Sequence, residues 1–234
     1  MIATLLVLLA TATPKPANTT FVQCAKPATV QECSARLDSL IAEVSFMQKV
    51  LEGKGIDFAK ERQRLAMADS VFRIPHDPAL ILGPVNARHT LAVFTDPQCP
   101  YCTRLYPQLD AWLAQHPDLR VAIHLFPLSF HDRAQPASQA YWAAAQQRKF
   151  VPFFRALHAN GSKDLSDAAL EKAAQAAMLD VERFRKDLDS DQARKAVDDD
   201  KALGTLVGVE GTPSLYLNGR ATRDPESDLA KLKR

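Results

Sequence analysis

At 234 residues, with 47% hydrophobic and 24% charged side chains, the chain has the composition of a globular protein, with room for one ordinary domain plus an accessory segment or for two small domains. A formal net charge of +2 argues against a dedicated nucleic-acid binder, and nothing in the balance demands a charged ligand.

Met1 to Ala10 (MIATLLVLLA) is an apolar run too short to cross a bilayer, and Ala10-Thr11-Ala12 offers small residues at the spacing a signal peptidase prefers. Residues 1–12 therefore read as a secretory signal; the absence of Lys or Arg ahead of the run leaves an N-terminal anchor or a misassigned start as alternatives. Export would suit the even number of cysteines, since disulfides persist in an oxidising compartment. Residues 13–20 (TPKPANTT) form a polar linker.

Residues 21–76 read as a helical N-terminal segment. Cys24 and Cys33 bracket a short Pro-containing loop and are expected to form a structural disulfide; a second redox couple would need a strand-and-helix frame that this stretch lacks. From Ser34 to Leu51, apolar residues recur at Leu37, Leu40, Val44, Met47 and Leu51, a spacing of three and four that matches the coiled-coil period. Two heptads do not separate an oligomerisation arm from an amphipathic helix lying on its own domain, so both stay open for residues 34–51. Gly53-Lys54-Gly55 ends that helix, a more charged helical piece follows from Ile56 to Phe72, and Pro75 and Pro78 mark a domain boundary at 76/77.

Leu80 to Leu82 is a short edge-strand candidate. Leu91 to Thr95 is an apolar, β-favouring run that stops at Asp96-Pro97, and Cys99-Pro100-Tyr101-Cys102 then opens a helix reaching about Gln115. A helix N-terminus presents unpaired N–H groups and the positive end of the peptide dipoles, so it favours a thiolate at Cys99. Cys99 is thus the candidate attacking sulfur, and Cys102, one turn inside, the resolving one. Pro100 fits the first helical turn. Zinc would need four ligands, and Cys24 and Cys33, with no His at a suitable interval, do not supply the missing pair; a structural disulfide across so tight a loop would restrain the unfolded chain little. Neither a metal nor a cofactor is expected.

Arg120 to Phe126 supplies the next strand, placed parallel to the first by the intervening helix, with the cysteines at the carboxyl end of a βαβ unit. Ser129, His131 and His124 lack an elbow motif or a spaced acid, so a hydrolytic reading fails and a loop-shaping role is expected. From about 135 to 204 the chain reads as an inserted block of four or five helices, interrupted at Pro152, at Asn160-Gly161 and near Leu179-Asp180, with Ser166 and Asp180 as N-caps. Asp198-Asp199-Asp200 reads as a solvated helix face. Ser214 to Asn218 is a strand, Asn218-Gly219 a hairpin turn, and Asp224-Pro225 starts a last helix reaching Lys233.

The Cys-Pro-Tyr-Cys helix start, Pro107 five residues beyond it, the helical insert, and Gly211-Thr212-Pro213 before a late strand together resemble the thioredoxin-fold thiol:disulfide oxidoreductases of the bacterial periplasm, the DsbA/DsbC/DsbG group. The resemblance implies an α/β thioredoxin fold over residues 77–234, with an inserted helical subdomain and a helical N-terminal extension. It implies that Pro213 is cis and faces the sulfurs, that Thr212 offers its backbone to an extended substrate, and that Pro100, Tyr101 and Thr212 tune the redox poise. It also implies unfolded or misoxidised exported proteins as clients and a membrane redox partner of DsbD or DsbB type. The insert is similar to the DsbA branch, whereas Phe94-Thr95-Asp96-Pro97 and Thr212 are closer to DsbC and DsbG, which favours isomerase or reductase activity. A monomeric oxidase of DsbA type is the alternative, and a chaperone or a copper-handling protein using the two thiolates as soft ligands is the rival from another class. The N-terminal helix is similar in style to the oligomerisation arms of suppressor-of-copper-sensitivity proteins. Val93 stands where thioredoxin and DsbA bury an acid behind the cysteines, so the proton of Cys102 needs another destination.

Overall fold

The computed structural model describes residues 30–55, 57, 70–159 and 164–232. The expected signal segment, the linker, Cys24, the Asn160-Gly161 break and most of the charged helical piece at 56–72 lie outside the described residues. The chain forms two compact units, Met1–Phe58 and Ala59–Arg234.

In the first unit, helix α1 spans Val30–Gly53, with the Lys54-Gly55 turn ending it where Gly55 takes a positive φ of 75°. The helix starts earlier than expected, so Cys33 belongs to its first turn and not to a loop. Leu37, Leu40, Val44 and Met47 are 44, 46, 48 and 56% exposed, and Ile41 and Phe46 extend this apolar surface. Among the described residues no helix is long and apolar enough to cross a membrane.

The second unit is built on a five-stranded sheet. Its strands are β1 (Ile81–Leu82), β2 (His89–Thr95), β3 (Leu119–Leu125), β4 (Ser214–Leu217) and β5 (Arg220–Thr222), in the order β1-β3-β2-β4-β5. β2 and β3 are parallel, with Val93 opposite Ile123; the other pairings are antiparallel. The parallel pair is joined through α2 (Pro100–Gln115), as a crossover between parallel strands requires. β2 reads as a continuous apolar run because both of its faces are covered. Leu91 and Val93 enter the larger core with α2 and the inserted helices, whereas Ala92 and Phe94 enter a smaller one with Ile74, Phe126, Val207, Val209 and Tyr216.

Among the described residues the insert holds five helices: α3 (Ala134–Gln146), α4 (Phe150–His158), α5 (Asp167–Ala176), α6 (Val181–Leu188) and α7 (Asp191–Leu206). Ser166 and Asp180 cap α5 and α6 by accepting from the amides of Ala169 and Arg183. Pro152 does not interrupt the helical run. It lies in the first turn of α4, where its missing N–H would be unpaired anyway, and the break falls at Arg148, whose φ is 56°. Ala137, Ala140, Ala143 and Ala144 of α3 are fully buried, and this small-residue surface lets α4, α6 and α7 approach it closely.

Asp198 and Asp199 are solvated as expected, but Asp200 is not. Its carboxylate accepts from the Leu125 amide at 2.7 Å and pairs with His124 Nδ1 at 2.8 Å, tying α7 to the end of β3. One turn further on, a Cβ at Gly204 would sit 2.6 Å from the ring of Phe126, so only glycine allows α7 this close to the sheet. The hairpin turn Asn218-Gly219 has φ values of 50° and 83°, as a two-residue turn of this type demands. The last helix, α8, spans Pro225–Ala230, with Asp224 as its cap.

Candidate active site

The site forms where β2 ends. Asp96 to Gln98 turn the chain, the Cys99 amide donates to the Asp96 carbonyl at 3.1 Å, and Cys99 becomes the N-cap of α2 with Pro100 in the first turn. Both thiols are free. Cys99 is 3% exposed, and its Sγ donates to the Thr212 carbonyl at 3.4 Å, where the Thr212-Pro213 peptide bond is cis. Residues 113 positions apart in the chain are thereby brought together. Tyr101 is 64% exposed, with the Arg104 guanidinium 4.5 Å above its ring.

Cys102, on the buried face of α2, has no exposed surface. Burial pushes its thiol up to about 12, the Asp96 N–H and the Thr95 hydroxyl pull in the opposite direction, and the neighbouring Cys99 adds to the rise. The Asp96 amide donates to Sγ at 3.5 Å. At neutral pH this sulfur holds its proton.

An open groove of about 1220 Å³ passes Leu105 and Trp112 of α2, then Thr212 and Pro213, and ends near Arg223 and Glu226. Thr212 contributes its carbonyl to Cys99 and its buried hydroxyl, which has no oxygen or nitrogen partner, to the surroundings of Cys102. Cys24 lies outside the described residues, and the side chain of Cys33 is likewise not described, so their expected pairing is not seen. Among the described residues, no three His, Cys, Asp or Glu side chains converge on a metal-sized point.

In the sequence Asp96 shows only as the residue that ends β2. Its fully buried carboxylate is the hub of the site: Oδ1 accepts from the Gln98 amide at 2.7 Å, and Oδ2 accepts from the Leu128 amide and pairs with His131 Nδ1, both at 2.8 Å. Gln98 also reaches across, donating to Asp132 at 2.9 Å and accepting from the Arg133 amide at 2.7 Å. The loop after β3 is thus fastened to the loop carrying the cysteines. His131 shapes that loop as expected, through a carboxylate that had no assigned role. Tyr106 was likewise missed, although its spacing of four from Cys102 places it on the same helix face.

A dithiol at a helix start, set against the carbonyl that precedes a cis-proline on a β-β-α sheet frame, defines a thioredoxin-fold protein. The chain belongs to the thioredoxin family, whose model, described as Thioredoxin, matches residues 76–233. Among solved structures, it is similar to a thioredoxin-like oxidoreductase from Silicibacter pomeroyi (24% identity, 66% of this chain and 91% of that one, TM-score 0.59). It is also similar to the catalytic domain of ScsC from Proteus mirabilis (25%, 68% and 90%, TM-score 0.56). Among curated relatives, the Na(+)/H(+) antiporter NhaA 3 of Salinispora tropica is 32% identical over 155 residues, 65% of this chain but 24% of that protein. A probable disulfide bond formation protein D of Bacillus cereus is 26% identical over 161 residues, 64% of this chain and 74% of that protein. The chain thus spans about a quarter of the length of the antiporters it matches.

Proposed function

We propose that this domain catalyses thiol:disulfide exchange on exported polypeptides in the periplasm, with isomerisation or reduction as its main direction. The observation that carries the reading is the Cys99 sulfur at the start of α2, 3.4 Å from the Thr212 carbonyl beside Pro213. An extended client lying along that segment would bring its disulfide to Cys99 without any side-chain code. The Cys99 thiolate attacks one client sulfur, forming an S–S bond to Cys99 while the other client sulfur leaves with the electron pair and takes up a proton. Cys102 then attacks Cys99, forming the Cys99–Cys102 bond and releasing the client reduced, or a client thiol attacks the client sulfur of the mixed disulfide, releasing Cys99 as the thiolate and leaving the client's disulfide rearranged. A membrane partner of DsbD type would return the dithiol in the first case.

The apolar surface of α1 favours a second element of this reading, that copies of the chain associate through residues 34–51 and present several dithiols to one client. The exchange chemistry is tested by insulin reduction and by refolding of scrambled ribonuclease. Both are expected with the native chain and neither with Cys99→Ala. Equal activity in the two proteins overturns the assignment.

A further inference from the structure

Cys102 must carry negative charge as it closes onto Cys99, and it does so with no exposed surface for water to reach. The backbone amide of Asp96 meets its Sγ at 3.5 Å. A dipole stabilises a developing charge best if it is already aimed when the charge appears, so the holding of the Asp96 backbone matters. The Asp96 side chain does that holding. Its carboxylate, also without exposed surface, takes the Gln98 amide on Oδ1, and the Leu128 amide and His131 Nδ1 on Oδ2. Facing a carboxylate oxygen at 2.8 Å, Nδ1 is the ring nitrogen that carries a proton and donates. Of these three donors, His131 alone is a side chain. Its own loop aims it: the His131 amide donates to the Leu128 carbonyl at 3.0 Å, so one turn presents two donors to Oδ2. The ring of Phe130 stands edge-on to the imidazole, at 4.5 Å between centroids.

We propose that His131 is a positioning residue for the resolving step, holding Asp96 so that its amide stays aimed at the Cys102 sulfur while that sulfur attacks Cys99. The proposal rests on the exchange chemistry above. In that step the bond from Cys102 to Cys99 forms and the bond from Cys99 to the client sulfur breaks. The electron pair leaves with the client sulfur, which ends with a proton in exchange for the one Cys102 gives up, so atoms and charge balance. Negative charge builds on Cys102 on the way, and the Asp96 N–H is set where it builds. Without His131 a buried carboxylate keeps two of its three donors and is drawn toward water. The backbone that carries the amide turns with it, and the Cys102 sulfur loses an aimed donor. The Cys99 sulfur depends instead on the start of α2 and on the Thr212 carbonyl, so its own attack is spared.

The test separates the two steps by mixing the reduced full chain, in stopped flow, with dithiobis(nitrobenzoate), a symmetric aryl disulfide whose released thiolates absorb visible light. The first thiolate released reports attack by Cys99, and the second reports closure by Cys102. His131→Phe keeps a ring beside Phe130 but offers no donor. Closure is expected to slow by about fivefold or more in that chain, while the first step stays within about twofold of native. His131→Asn, whose side-chain NH2 can stand where Nδ1 stood, should bring closure back to within about threefold of native. If His131→Phe lacks a cooperative melt, His131→Ala takes its place, with the same expectation. Closure slowed by less than about fivefold in the chain without the donor overturns the proposal. So does equal slowing of both steps, or an Asn variant that closes no faster than the Phe variant, since either marks loosened packing and not a misplaced amide. The proposed function stands or falls separately, on whether the native chain reduces insulin and Cys99→Ala does not.

Discussion

Asp96→Asn preserves the outline of the side chain but leaves one acceptor oxygen where the carboxylate offers two. If that oxygen stays on the Gln98 amide, 2.7 Å away, the new NH2 group faces the Leu128 N–H, which had its acceptor at 2.8 Å. Two donors then oppose each other at a residue with no exposed surface. A buried donor without an acceptor costs about 1–3 kcal/mol, and a hydrogen bond to a charged partner contributes about 1.5–3 kcal/mol. His131 can present its bare nitrogen to the new amide and recover part of this, so the net loss comes to about 2–4 kcal/mol. With a slope of about 1–3 kcal/mol per molar urea, the midpoint of unfolding should fall by about 1–2 M. The same change frees the loop after β3 from the cysteine loop, so peptide-disulfide exchange, measured well below the new midpoint, should slow as well. A midpoint within about 0.3 M of native would refute the reasoning, because it would mean that the three donors find other partners at no cost.

Stability should respond to pH at both ends. The folded pKa of His158 lies near 3, below its free value of 6.5, so its contribution is complete above 6.5 and is lost as pH falls toward 3, at up to about 1.4 kcal/mol per pH unit. Cys102 is the mirror case: with a folded pKa near 12 against 9.0, its contribution is complete below 9.0 and is lost as pH climbs toward 12. Urea unfolding from pH 4 to 10.5 should show a shallower acid limb for His158→Gln and a shallower alkaline limb for Cys102→Ala; limbs parallel to native would contradict both assignments. For the apolar surface of α1, light scattering should give a multiple of the monomer mass for the full chain and the monomer mass once residues 21–72 are removed, and a monomer in both cases disposes of association through that helix.

What could be read in advance follows from how local each signal is. The strand, turn and helix around Cys99 are written in adjacent residues, and the Asn218-Gly219 turn carries its own chemistry, so the elements that position the dithiol were legible. Asp96 does end β2 as expected, but its second role is not local: its partners, Leu128 and His131, lie more than thirty residues away, and beside a proline an acid looks like an ordinary turn residue. Asp200 was grouped with Asp198 and Asp199 for the same reason: only the approach of β3 distinguishes one carboxylate of the three. Pro152 was over-weighted as a breaker because its effect depends on whether it falls in the first turn or later.

The seating of α7 has a consequence for how such a chain can change over time. At one level of β3 the helix is held by Asp200 and, a turn later, by the bare backbone at Gly204; three residues beyond it begins the segment that ends at Pro213. That segment therefore takes its bearings from β3 through α7. A change in where α7 seats on β3 would be passed along the chain to Thr212 and Pro213, the half of the reacting pair that faces Cys99.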